Sequence, residues 1–102
     1  MNLEYNYFIM TFDEIRQTLE TRFSPAVLRL VDQSHHHVGH PENMQGREML
    51  LDLVLVSAAF EGKTLLEKHA AIYSALQIGK NPSIHGITIR AYSAAEWAKV
   101  SS

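Results

Sequence analysis

Residues 50–91 read LLDLVLVSAAFEGKTLLEKHAAIYSALQIGKNPSIHGITIRA, and the spacing of their apolar residues changes twice. Residues 50–57 form an apolar run in which Asp52 is the only polar residue before the last one, Ser57, and such a run is typical of a buried strand. From residue 63 to about 77 the apolar residues recur at helical spacing, and strand-like alternation returns over residues 85–91. A strand, a helix and a strand in this order predict two parallel strands joined by a right-handed crossover.

Within the helical part, one stripe of side chains indicates the face that packs on the sheet. Its members are Leu66, His69, Tyr73 and Leu76, flanked by Leu65 and Ile72. We therefore interpret His69 as a buried, hydrogen-bonded structural histidine, and Tyr73 and Trp97 as core residues.

The residues on either side complete a single α+β domain over 1–102. Thr11 and Glu14 have the spacing of a capping box, which predicts a helix that ends at Ser24-Pro25. A short apolar run over 27–32 predicts a strand, and its connection to the next strand favours an antiparallel hairpin.

A second capping box, SAAE over 93–96, predicts a short last helix. We expect the order α-β-β-α-β-α, with a three-stranded mixed sheet and the helices on one face. Residues 1–10 are an N-terminal extension and residues 33–49 a histidine-rich loop.

The composition is that of an ordinary soluble domain, with 46% hydrophobic and 20% charged residues and a net charge of −2. No apolar stretch approaches the length of a membrane span, and MNLEYNYFIM (1–10) has no basic leader. We expect no membrane association and a cytoplasmic location. Because the chain contains no cysteine, any metal ligand that it offers is a histidine nitrogen or a carboxylate.

Residues 34–40 read SHHHVGH and hold four of the six histidines. Adjacent histidines in a loop fit either a solvated polar segment or part of a metal site. We expect one of them to be a metal ligand and the others to have no ligand role.

Two stretches carry family motifs, LVLVSAAFEGKTLLEKHAAIYSAL (53–76) and IHGITIRAYSAAEW (84–97). The first resembles the strand, the Phe-x-Gly-Lys turn and the Arg-His-Arg-x-x-Tyr helix signature of the BolA family, which reads KHAxxY here. The second resembles the family's Ile-His-Ala-Leu strand and its closing Thr-Pro-Glu-Glu-Trp. These stretches follow the family's order and spacing, and the preceding helix and LVDQS (30–34) fit as well.

The resemblance implies a fold related to class II KH domains, with three strands, about four helices and all helices on one face. It also implies an adaptor that binds a monothiol glutaredoxin and shares a [2Fe–2S] cluster with it, in iron–sulfur assembly, trafficking or iron regulation. Some bacterial members of the family regulate transcription of shape and stress genes, so the alternative is a DNA-binding regulator.

Carried over to this sequence, the family's ligands are His85 in the last strand and one histidine of the 33–49 loop. The best match in the loop is His37, and the alternates are His36, His40 and His35. From the residues alone, His85 also fits a strand-end histidine bonded to backbone. The glutaredoxin would supply a cysteine and a bound glutathione thiolate, and this chain alone is expected to hold no cluster tightly.

The sequence predicts neither an enzyme nor a strong nucleic-acid binder. It contains no Ser–His–Asp arrangement in a recognisable context and no glycine-rich phosphate loop. A modest basic surface is expected from Lys63, Lys68, Lys80 and Arg90. Neither FEGKT (60–64) nor IGKNPS (78–83) contains the Gly-x-x-Gly of KH domains, so DNA binding should be weak and salt-sensitive. We expect a monomer or a weak homodimer.

Overall fold

A computed structural model describes residues 9–34 and 49–101 of the chain. Within these ranges the elements follow the predicted order. They are α1 (Phe12–Phe23), β1 (Val27–Asp32), β2 (Met49–Val56), a short 3₁₀ helix (Ala58–Phe60), α2 (Leu65–Leu76), β3 (Ile84–Tyr92) and α3 (Ala94–Ser101). Most of the predicted extension and of the histidine-rich loop lies outside the described residues. None of the described helices is long and apolar enough to cross a membrane.

α1 begins at the predicted capping box. The Thr11 hydroxyl accepts from the Glu14 amide at 3.1 Å, and the Glu14 carboxylate accepts from the Thr11 amide at 2.9 Å. The helix ends where Ser24 adopts a left-handed conformation and its amide donates to the carbonyl of Glu20 at 3.0 Å. Both predicted boundaries of this helix are confirmed.

The three strands form one mixed sheet in the order β1-β2-β3. β1 pairs with β2 antiparallel, and β2 pairs with β3 parallel, as the sequence predicts. β2 is therefore the central strand, which agrees with its nearly continuous apolar composition.

Side chains on one face of this sheet form the core. Leu30, Leu53 and Ile89 lie in one row across the three strands, and the buried apolar residues of α1 and α2 pack in the same cluster. The next row, displaced by one residue, contains Arg29 and Arg90 and is exposed at both ends. The period of two in each strand thus separates a covered face from an open face.

The face of α2 that packs into the core differs from the predicted stripe. Its buried residues are Lys68, Ile72, Ala75 and Leu76. Leu66 is 78% exposed and Tyr73 is 45% exposed, so the prediction that both belong to the core is wrong. The apolar residues of this helix form two neighbouring stripes, one with Leu66 and Tyr73 and one with Ile72 and Lys68. Only the stripe that contains the lysine packs against the core.

A lysine can occupy the core face because its charge is neutralised at the end of its side chain. Lys68 is 4% exposed, and its Nζ donates to Glu96 Oε1 at 2.6 Å. The same oxygen accepts from the Ser93 amide at 2.8 Å in the predicted second capping box. The hydrogen bond from Lys68, followed by that from Ser93, holds the pKa of Glu96 below its ordinary value. This contact joins α2 to the start of α3.

His69 and Trp97 are only half-buried. The Nε2 atom of His69 is buried and has no hydrogen-bond partner among the described residues, which corrects the prediction of a hydrogen-bonded histidine. The Trp97 ring packs against the Tyr92 ring in a tilted arrangement, with 5.3 Å between the centroids and 47° between the ring planes. It therefore packs beside the end of β3 and is not enclosed in the core.

Two substitutions on α2 test the corrected helix face. Ile72→Ala should lower the free energy of unfolding by about 2–4 kcal/mol, because Ile72 is fully buried and the substitution leaves a cavity. The matched control Leu66→Ala should change it by less than ~0.5 kcal/mol. Urea denaturation measures both values. A larger loss for Leu66→Ala than for Ile72→Ala would restore the stripe predicted from the sequence.

Candidate functional site

Three strand termini lie together at one end of the sheet. The last residue of β1, Asp32, pairs with Leu51, and the first residue of β2, Met49, pairs with Ile84 at the start of β3. This follows from one antiparallel and one parallel pairing around β2. Because His85 directly follows Ile84, we call this the histidine end of the sheet.

His85 occupies an irregularity in the pairing of β3 with β2. Met49 is opposite Ile84, but Leu50 is opposite Gly86, so His85 is the extra residue of a bulge. Ile84 and Ile87 both pack against the core although they are three residues apart. His85 itself is exposed. The alternation over residues 85–91 predicts that His85 lies on the same face as Ile87. This prediction is wrong, because the bulge removes the imidazole from the core face.

Gly86 stands where the family pattern has alanine. A Cβ at this position would lie 3.4 Å from Leu50 Cδ2, which is close to an ordinary van der Waals contact. The backbone there does not require glycine, because Gly86 is not among the residues with positive φ. Alanine at this position would therefore require little adjustment.

The described residues that flank segment 35–48 are held at the histidine end by hydrogen bonds. The Gln33 amide donates to the carbonyl of Leu50 at 2.7 Å, so pairing with β2 continues one residue past β1. The Ser34 amide and hydroxyl both donate to Asp32 Oδ1, at 2.9 and 2.7 Å. On the other side, the Met49 amide donates to the carbonyl of Ser83 at 2.7 Å. The chain therefore leaves the sheet after β1 and re-enters it at β2 at the end of the sheet where β3 starts.

A buried polar turn fixes the start of β3. Asn81 is 4% exposed, and its amide group donates to the Leu76 carbonyl at 3.0 Å and accepts from the Ser83 amide at 3.1 Å. The Ser83 hydroxyl accepts from the Met10 amide at 2.8 Å. This turn connects the end of α2, the residues before α1 and the strand that carries His85. The sequence GKNPS (79–83) predicts the end of the preceding helix, but not this buried set of hydrogen bonds.

The predicted loop ligands His35, His36, His37 and His40 lie outside the described residues. Among the described residues, no group of three or more histidine, cysteine, aspartate or glutamate side chains could hold a metal ion. The candidate donor among the described residues is thus one exposed imidazole, at the same end of the sheet as the two attachment points of a loop whose sequence contains four more histidines.

His69 is remote from this end. It lies in the first turns of α2, and the start of α2 lines a groove together with Tyr92 at the end of β3. His85 is about 23 Å from Tyr92 along an extended strand, given ~3.3 Å per residue. The structure therefore separates His69 from His85, the one candidate ligand among the described residues.

The four predicted cationic residues do not form one surface. Lys68 is buried and bound to Glu96. Arg90 donates to Asp52 at 3.0 Å on the open face of the sheet. Lys63 precedes α2, and Lys80 follows it. This arrangement counts against a continuous phosphate-binding surface built from these residues.

Comparisons with known proteins identify the family of the chain. The family model for BolA-like proteins matches residues 19–96. The chain is 32% identical to the DNA-binding transcriptional regulator BolA of Escherichia coli (strain K12) over 89 residues, which are 87% of this chain and 81% of that protein. It is 34% identical to human BolA-like protein 1 over 83 residues, which are 81% of this chain and 58% of that protein.

Among solved structures, a Bol-like protein from Babesia bovis has a similar fold. The TM-score is 0.72 at 25% sequence identity, and the match covers 91% of this chain and 95% of that one. The predicted α+β fold, with its three-stranded mixed sheet, is confirmed by these similarities.

The polar turn before β3 can be tested through its stability contribution. Asn81→Ala should lower the free energy of unfolding by about 1–3 kcal/mol, because it leaves the Leu76 carbonyl and the Ser83 amide buried without partners. Lys80→Ala, an exposed neighbour, should change it by less than ~0.5 kcal/mol. Thermal and urea denaturation would show this difference, and equal effects of the two substitutions would remove the structural role assigned to Asn81.

Proposed function

Because this chain belongs to the BolA-like family, we propose that it is a non-enzymatic adaptor that binds a monothiol glutaredoxin and shares a [2Fe–2S] cluster with it. Its role would lie in iron–sulfur cluster assembly, trafficking or iron regulation. The observation that carries the proposal is the exposed His85 at the same end of the sheet as both attachment points of the histidine-rich loop. The predicted cytoplasmic location is part of this proposal.

The donor atoms of the chain fit a shared cluster and argue against one held by the chain alone. Iron–sulfur clusters are held mainly by thiolates, and this chain has no cysteine. Two imidazoles can replace two thiolates on one iron of a [2Fe–2S] cluster. His85 would be one of them, and a loop histidine, best matched by His37, would be the other. The partner's cysteine and a bound glutathione would supply the thiolates.

The residues around His85 have different structural roles. The bulge keeps its imidazole out of the core, and the Asn81–Ser83 turn fixes the start of the strand. The Asp32–Ser34 turn and the pairing of Met49 hold both ends of the loop at the same end of the sheet. One ligand on a rigid strand and one on a loop suit a site that is completed only when a partner binds.

A DNA-binding regulator is the second candidate, because the E. coli relative carries that name. The dispersed cations and the net charge of −2 favour the adaptor. We expect any DNA binding to be driven by phosphate contacts and to weaken steeply with salt.

Replacement of thiolate by neutral imidazole changes the charge around a cluster, so the charge-transfer spectrum reports ligation by this chain. Addition of the chain to a cluster-loaded monothiol glutaredoxin should give a heterodimer with an altered visible spectrum. His85→Ala should abolish the alteration without unfolding the chain. Among the loop histidines, His37→Ala should have the largest effect.

His69→Ala is the matched control for this experiment, because His69 is a histidine of the same chain away from the histidine end. The spectral alteration per folded molecule should persist in this variant. A spectrum that is indifferent to His85, or lost with His69 at an unchanged melting temperature, would contradict the ligand assignment.

A further inference from the structure

The residue two positions before α1 contacts the turn that begins the strand of His85. The Met10 amide donates to the Ser83 hydroxyl at 2.8 Å, and the Met10 thioether accepts from the Asn81 side-chain amide at 3.1 Å. Asn81 and Ser83 are 4% and 2% exposed. Met10 therefore holds this buried turn through both its backbone and its side chain.

The turn is connected in the same way to the strand starts at the histidine end. The Ser83 amide donates to Asn81 Oδ1 at 3.1 Å, and the Ser83 carbonyl accepts from the Met49 amide at 2.7 Å. The Ile84 amide donates to the carbonyl of Asn81 at 3.2 Å, and His85 is the next residue. A displacement of Asn81 would therefore reach the first residues of β2 and β3.

The side chain of Met10 lies at the edge of the core, within reach of solvent. It is half-buried, packs against the core cluster and lines an open groove of about 610 Å³. Its neighbour in that lining, Ile9, is 73% exposed. Met49, the other methionine in the described part of the chain, is 7% exposed and belongs to the core. A small oxidant dissolved in water thus reaches Met10 more readily than Met49.

A peroxide converts a thioether into a sulfoxide. A lone pair of the sulfur attacks one oxygen of hydrogen peroxide, the O–O bond breaks, and the proton of the transferred oxygen leaves with the other oxygen as water. The sulfur is oxidised by two electrons and the peroxide is reduced by two. The product is polar, and methionine sulfoxide reductases reverse the reaction.

Oxidation would disturb the contact between Met10 and Asn81. The distance of 3.1 Å between the sulfur and Asn81 Nδ2 leaves no room for an oxygen atom between them. If the sulfoxide oxygen accepts from this amide, the two side chains must move apart. If the oxygen points elsewhere, the electron-poor sulfur is a weaker acceptor than the thioether, which is itself a weak one. In both cases the turn is held less firmly.

We propose that Met10 is a peroxide-sensitive modification site that controls how firmly the start of β3 is held. The thioether completes the contacts of the buried turn, and the sulfoxide leaves the turn and the first residues of β3 more mobile. The consequence for ligation rests on the proposed function: with His85 bound to a shared cluster, peroxide would weaken that bond through Met10. The modification itself requires neither a cluster nor a partner.

The test is an NMR comparison of the full ¹⁵N-labelled chain, without glutaredoxin or cluster, before and after treatment with hydrogen peroxide. Mass spectrometry of proteolytic peptides should show oxidation at Met10 and not at Met49. The amide order parameters of residues 83–86 should fall from about 0.85 towards about 0.6, and the amide signals of Met49 and His85 should shift. Residues 54–57, at the other end of the sheet, should keep their order parameters and signals.

Two substitutions separate the effect of Met10 from that of other oxidised groups. Met10→Leu keeps an apolar side chain of similar size and should remove the response of residues 83–86 to peroxide. Met44→Leu, at a methionine outside the described residues, is the matched control and should respond like the unchanged chain. Treatment of the oxidised chain with methionine sulfoxide reductases should restore the original spectrum.

Three results would overturn the proposal: no sulfoxide at Met10 when free N-acetylmethionine is fully oxidised, unchanged order parameters in the oxidised chain, or an equal response in Met10→Leu. The last result would assign the response to another oxidised residue. Because the chain is tested alone, none of these results bears on the cluster proposal. A heterodimer spectrum that is indifferent to His85→Ala would, in turn, leave the oxidation of Met10 and its effect on the turn unchanged.

Discussion

The pairing of β2 with both of its neighbours is the constraint on which the rest of the molecule depends. With β1 antiparallel and β3 parallel to it, the end of β1 and the starts of β2 and β3 must meet at one end of the sheet. The single register shift between Met49 and Leu50 then decides which way His85 faces. Without that shift, His85 would share the core face with Ile87 and Ile89, where an imidazole could not serve as a ligand for a partner's cluster.

Much of the fold could be predicted because local signals agree with one another. The capping boxes at Thr11 and Ser93, the apolar run of β2 and the breaker after α2 each define a boundary that the structure retains. The bulge at His85 could not be predicted, because period-two alternation looks the same with or without an inserted residue until the partner strand is known. The placement of His85 at the strand start was correct, and the reason that it is exposed emerges only from the register.

The face of α2 was predicted wrongly because a lysine was counted as polar. Lys68 buries its aliphatic stem, and Glu96, 28 residues later, compensates its charge. A long-range ion pair leaves no trace in the spacing of one helix, so the neighbouring stripe with Leu66 and Tyr73 appears equally apolar. The same pairing explains why Lys68 is unavailable to a phosphate.

The central claim is that His85 and one loop histidine ligate a cluster whose thiolates come from a partner. Pulsed electron paramagnetic resonance on the reduced heterodimer, with this chain labelled with ¹⁵N only at histidine, tests it most directly. The account predicts nitrogen couplings from two histidines of this chain, and from one after His85→Ala. The absence of any coupling to a nitrogen of this chain would contradict it.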